Sequence, residues 1–219
     1  MSYIVHIVQA AIQQSDNDIE QVRPDSLRRI AILDAARPVF VRFGYRKTSM
    51  DDVARAAGVS RQGLYLHFAN KEDLFRAAVH HSLGNHIAAA RAILADTARP
   101  IESKLLAALN EWVGRYAQIA LSGEAFDLIE TSSLLAGPII ADHRRQFEQV
   151  LADAIGSSRP LMAVYSPAGL SALQIARTLH ASTQGFANKP TSQEALIEDL
   201  TLAVQVLCAP LHRTVRKNP

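Results

Sequence analysis

Arg61 and Gln62 directly follow Ser60, which places a guanidinium and a carboxamide in the first turn of a short predicted helix. Arg can donate two bonds to guanine O6 and N7, and Gln can pair with adenine N6 and N7, so the pair predicts reading of base edges in a DNA major groove. Gly63 has no side chain to hold that helix away from the groove. Tyr65 and His67, one turn further, are suited to phosphate oxygens. So is Lys71 at the start of the next helix, where charge and helix dipole both favour an anion. Thr48 and Ser49, opening the preceding helix, offer hydroxyls to phosphate, and Ser60 completes the predicted contact set.

Two short helices joined by a glycine turn must position these groups. Thr48 or Ser49 can cap the first helix, with Asp51 or Asp52 at capping-box spacing. Gly58 supplies the stop, because it takes a left-handed conformation without a Cβ clash. Ser60 caps the second helix, flanked by Val59 and Leu64, the two positions of a hydrophobic staple. Asn70, with Asp73 three residues on, opens a third. Upstream, Ile30, Leu33, Ala36, Phe40 and Phe43 recur at helical spacing and predict a helix over about residues 26–43, with a kink near Asp34 to Pro38. Together these segments form a helix-turn-helix.

The pattern resembles the TetR (tetracycline repressor) family of bacterial transcription regulators. The resemblance rests on Phe40 to Tyr45 with Gly44, Thr48, the Ala57-Gly58-Val59-Ser60 turn, the Tyr65 to Phe68 element, and Lys71 to Leu74. It covers residues 26–80 and implies DNA contacts at the positions named above. It also implies a homodimer in which the last two long helices of each subunit pair.

Charge and composition agree with this partner. The net charge of +2 conceals a skew: residues 23–80 carry eleven Lys/Arg against six acids, whereas residues 81–219 carry twelve of each. The basic excess coincides with the helix-turn-helix, where a polyanion gains from counterion release. At 219 residues and 48% hydrophobic content, the chain can bury a sizeable core. The single cysteine, Cys208, permits no intramolecular disulfide and fits a reducing cytoplasm. No run reaches the roughly 18 apolar residues of a membrane span.

The expected fold is all-α with about nine helices. Its expected domains are an extension (1–25), the helix-turn-helix domain (26–80), a ligand-binding and dimerisation domain (81–210) and a tail (211–219). Beyond residue 70, helices are expected near 70–97, 101–121, 124–136, 139–155, 167–187 and 192–209, with breaks at Gly137-Pro138 and from Gly156 to Pro167. The final helix is apolar around most of its circumference, so Leu196, Leu200, Val204 and Leu207 are expected at the dimer interface. Trp112, Tyr116, Phe126 and Phe147, with His180 and Gln184 as polar groups, are the candidate lining of a pocket for a small hydrophobic ligand.

Enzyme chemistry has weak support. Gly58 to Gly63 has phosphate-loop glycine spacing, but Leu64-Tyr65 stands where Lys-Ser/Thr is needed. His80, His81 and His86 are not three or four residues apart and cannot share one helix face as metal ligands. No catalytic residue, metal or cofactor is expected. The sequence therefore predicts a cytoplasmic, homodimeric regulator, a repressor that leaves a near-palindromic double-stranded operator when a ligand binds. A DNA binder without an inducer and, in another class, a helical enzyme or ligand carrier are the alternatives.

Overall fold

The structure, a computed structural model, describes residues 24–121, 126–188 and 191–215. The predicted extension, up to residue 23, lies outside the described residues. The rest forms nine α-helices among the described residues, with no strand. They are α1 (Pro24–Lys47), α2 (Met50–Ala56), α3 (Arg61–Tyr65), α4 (Lys71–Ala95), α5 (Ile101–Leu121), α6 (Phe126–Ser157), α7 (Arg159–Tyr165), α8 (Ala172–Asn188) and α9 (Gln193–Val215). A single 3₁₀ turn, Ser166–Ala168, follows α7.

Two hydrophobic cores result, and α4 serves both. Leu74, Phe75 and Ala78 from its first turns join Ile32, Leu33, Ala36 and Phe40 of α1 and Leu64 and Phe68 around α3. Ile87, Ala90 and Leu94 from its later turns join α5, α6, α8 and α9. The helix runs unbroken through the expected boundary at residues 80 and 81. One rigid beam thus carries both halves of the chain.

Neither Pro38 nor Pro138 ends its helix, and for one reason. Within α1 the backbone leaves helical dihedrals at Gly44 (φ 73°, ψ 166°), not around Pro38, and α6 continues through Gly137-Pro138. A helical proline orphans the carbonyl four residues before it. Here Asp34 and Leu134 occupy those positions and are exposed, as are Pro38 and Pro138, so water can take the orphaned bond. The segment from Gly156 to Pro167, expected as a break, contains α7, whose Leu161 is fully buried. In α1, Ile30 and Phe43 face solvent instead of the core, while Ile32 and Val39 are buried.

Candidate functional site

The turn between α2 and α3 is built from local signals. Ser49 caps α2 in a full capping box: its hydroxyl accepts from the Asp52 amide at 3.2 Å, and the Asp52 carboxylate accepts from the Ser49 amide at 2.9 Å. The Ser49 bonds also hold the Asp52 carboxyl below its ordinary pKa. At the far end, Val59 N–H donates to Ala54 O at 3.0 Å and Gly58 N–H to Arg55 O at 3.2 Å. This is a Schellman closure, with Gly58 at φ 64°. Ser60 then caps α3 by accepting from the Gly63 amide at 2.9 Å. A Cβ on Gly63 would lie 3.1 Å from Ser60 Oγ, so glycine protects this cap. Leu64, fully buried, pins α3 to the core, with Val59 packed beside it.

What α3 turns outward matches a reading helix. Arg61, Gln62 and Tyr65 are exposed. Arg61 pairs with Asp51 at 2.9 Å, and its guanidinium lies 5.8 Å from the centroid of the Tyr65 ring. Bonding to the Tyr65 hydroxyl, and then the Asp51 charge, raises the Arg61 pKa. An ion pair this exposed is worth roughly 0–1 kcal/mol, so Arg61 can exchange Asp51 for a base or phosphate at little cost. Sequence reasoning missed Leu66, which is 83% exposed. Its position four residues after Gln62 was the available signal, since i and i+4 share a helix face.

Three expected contacts are corrected. Thr48 is only 2% exposed and its hydroxyl donates to Gly44 O at 2.7 Å, closing the bend that ends α1 instead of facing phosphate. The His67 side chain is 9% exposed and lies 3.4 Å from Asp25, while its carbonyl accepts from Arg29 at 2.7 Å; it belongs to the seam with α1. Lys71 donates to Tyr45 O at 3.1 Å and Thr48 O at 3.0 Å, with Arg46 O at 3.4 Å, and its ammonium covers the Tyr45 ring at 4.5 Å. The carbonyls at the end of α1 have no helical partners of their own, and the lysine satisfies them. Replacing Lys71 by Met is therefore expected to destabilise the fold by about 1–3 kcal/mol, read as a lower urea midpoint. The salt dependence of DNA binding should stay nearly unchanged.

In the second half, Trp112, Phe147, His180 and Gln184 come together, whereas the side chains of Tyr116 and Phe126 lie outside the described residues. The cluster is packed solid. Trp112 stacks on Phe147 at 4.5 Å, and Phe147 and His180 are 0% and 1% exposed, so they offer no surface to a ligand. Trp112 Nε1–H donates to His180 Nε2 at 3.0 Å, and Gln184 lies 3.1 Å from the same nitrogen. Indole N–H only donates, so Nε2 is the acceptor and the Nδ1 proton of the neutral ring goes to Glu148 at 3.1 Å.

Burial pushes the His180 pKa below its ordinary 6.5, against the opposing pull of Glu148. The stabilisation is complete above pH 6.5, where the ring is neutral in both states, and is lost as pH falls toward the folded value, because the unfolded chain takes up the proton first. The melting temperature should fall between about pH 7 and pH 5, and His180→Gln, less stable at neutrality, should show a shallower fall.

An open cavity of about 220 Å³ lies beside this cluster. Phe40 and Val41 of α1, Phe75 and Val79 of α4, Trp112 of α5 and Leu128 of α6 supply most of its apolar wall. Arg37, Ser82, His86 and Ser132 are its polar groups.

The dimer expectation also needs correction. Leu196, Leu200 and Val204 are at most 3% exposed and Leu207 packs against them, all within this subunit's own core. The large apolar residues that α9 turns outward are Ile197, Leu202 and Val206, 40%, 57% and 67% exposed. On α8, Thr178, Ala181, Ser182 and Gly185 form an exposed stripe of small residues. The Thr178 and Ser182 hydroxyls each donate to the carbonyl four residues back, at 2.9 Å, which leaves that face smooth and polar-satisfied.

Residues 32–78, spanning this helix-turn-helix, match the model for bacterial regulatory proteins of the tetR family. Over these residues the chain carries a helix-turn-helix of the tetR-family type. Among curated relatives it is 30% identical over 132 residues to the HTH-type transcriptional activator FasR of Mycolicibacterium smegmatis, aligning 60% of this chain with 58% of FasR. It is 37% identical over 83 residues to the HTH-type transcriptional repressor ComR of Escherichia coli, 38% of this chain and 40% of ComR. The chain thus spans about half the length of these relatives. The fold extends further: the transcriptional regulator FadR of Bacillus subtilis, solved with stearoyl-CoA, superposes with a TM-score of 0.56 at 18% identity, covering 81% of this chain and 96% of FadR. Among the described residues, no helix is long and apolar enough to cross a membrane.

Proposed function

We propose that this chain is a TetR-family, cytoplasmic, homodimeric transcriptional repressor that binds a near-palindromic DNA operator and releases it on binding a small hydrophobic ligand. The carrying observation is α3, whose first turn holds Arg61 and Gln62 in solvent on a helix fixed by Ser60 and Leu64. Ser49, Ser60, Gly63 and Tyr65 complete the proposed DNA face, and Leu66 is added as an apolar contact for a thymine methyl. Thr48, His67 and Lys71 hold that face from behind.

Dimerisation through the outward faces of α8 and α9 sets the two α3 helices for half-sites about one DNA turn apart, near 34 Å. A ligand releases DNA only if it binds the non-operator arrangement better, and each tenfold loss of DNA affinity needs about 1.4 kcal/mol of that preference. The test is a gel shift on DNA upstream of the protein's own coding sequence, with and without a library of apolar compounds. A retarded complex dissolved by one compound class supports the proposal. A complex that no compound dissolves leaves a DNA binder without an inducer, and no complex at all defeats the DNA-binding reading.

A further inference from the structure

We infer that the cavity where α1 meets α4, α5 and α6 is the effector site, and that it takes a compact, uncharged, one-ring molecule whose carbonyl oxygen is held by the hydroxyls of Ser82 and Ser132. This rests on the ligand-responsive reading above and gives the effector a size, a charge and a polar handle.

Size sets the body of the ligand. A dry cavity of about 150 Å³ lined by Leu, Ile and Phe holds benzene, and the cavity here is about 220 Å³. It therefore admits one aromatic ring with a small substituent. Phe40, Phe75, Trp112 and Leu128 give that ring an apolar surround.

Two serines supply the handle. A hydroxyl inside a helix can donate to the carbonyl four residues back, and Ser157, Thr178, Ser182 and Thr201 all do so at 2.7–2.9 Å. Ser82 of α4 and Ser132 of α6 do not. Among the described residues, neither of these two hydroxyls has a hydrogen-bond partner. Both residues line the cavity, and Ser82 also borders the polar groove beside it. A serine oxygen is one bond beyond Cβ, so rotation about χ1 alone aims it at a ligand. Two hydroxyl donors then match the two lone pairs of one carbonyl oxygen.

Charge decides against an ionised ligand. The charged groups that line the cavity are engaged already: Arg37 has an interaction of its own, and His86 is held by Glu111 at 2.8 Å. A ligand carboxylate would lose its water here without gaining a counter-charge, a cost well above what a neutral hydrogen bond returns.

Position makes the site regulatory. Phe40 and Val41 stand about one turn before Gly44, where α1 leaves helical geometry before the chain enters α2. A ligand wedged between α1 and α4 acts on the segment that carries α2 and α3.

The experiment titrates full-length protein with acetophenone, ethylbenzene and benzoate by calorimetry and measures operator binding in parallel. The first two match in size and differ by one carbonyl oxygen; benzoate adds a charge. Acetophenone should bind about tenfold more tightly than ethylbenzene and weaken operator binding, with benzoate the poorest of the three. Replacing Ser82 and Ser132 together by Ala should lower acetophenone to the level of ethylbenzene, with the hydrocarbon's affinity, ligand-free operator binding and helical content retained. Equal affinity for acetophenone and ethylbenzene, acetophenone affinity that survives the alanine pair, tighter binding of benzoate, or no binding of either neutral compound overturns the site. Acetophenone binding that leaves operator affinity unchanged overturns its role as effector site. If larger compounds release the operator while these three do nothing, the site falls and the inducible reading stands; absence of operator binding by the wild type defeats both.

Discussion

Val206→Glu should yield a folded monomer whose operator affinity is lower by roughly 10²–10⁴-fold, the range lost when two linked binding events become independent. Val206 is 67% exposed and follows Leu202 by one turn on the outward face of α9. A glutamate there is solvated in the monomer and desolvated without a partner at a two-fold interface, so the penalty falls on association alone. Leu200→Glu, six residues earlier on the same helix, should behave differently. Leu200 is fully buried in the subunit core, and an unpaired carboxylate there destabilises the fold itself. Sedimentation and far-ultraviolet circular dichroism separate the two: Val206→Glu is expected to be helical and monomeric, Leu200→Glu to be unfolded or aggregated. A Val206→Glu protein that still sediments as a dimer would show that the subunits pair through another surface.

Gln62→Ala should cost about 1–3 kcal/mol against the best operator, a loss of roughly five- to 150-fold, and should relax base preference at one position in each half-site. The fold should be untouched, because Gln62 is exposed and alanine is the stronger helix former. Arg61→Ala should act similarly at a neighbouring position, with a small effect from releasing Asp51. The contrast with Lys71→Met is diagnostic. One class of substitution changes which sequence is bound at constant stability, and the other changes stability at constant sequence preference. An unchanged consensus for Gln62→Ala would move the reading surface away from the start of α3.

The parts of this architecture that were legible in the sequence are those whose partners lie within a few residues. The Ser49–Asp52 box, the Gly58 closure and the Ser60 cap each involve groups three to five positions apart, and type and spacing suffice to find them. Lys71 was misread because its acceptors lie 23 to 26 residues upstream, on carbonyls that any side chain could have carried. For α9 the obstacle was ambiguity. With apolar residues around most of the helix, the pattern does not say which face the subunit keeps, and the four residues assigned to the partner proved to be the ones it keeps. The aromatic cluster was identified by residue type, but only the packing shows that Trp112 and Phe147 stack without a gap and that the open space lies against α1. Gly137-Pro138 reads as a break by local rules; exposure of Leu134, a tertiary fact, is what lets α6 continue.

Selection of bound sequences from a random double-stranded DNA pool, using the full-length protein, tests the central claim most directly. The account predicts enrichment of an inverted repeat whose half-site centres lie about one helical turn apart, 10–10.5 base pairs, or a multiple of that spacing. Enrichment of no sequence, or of a single asymmetric site, would contradict it.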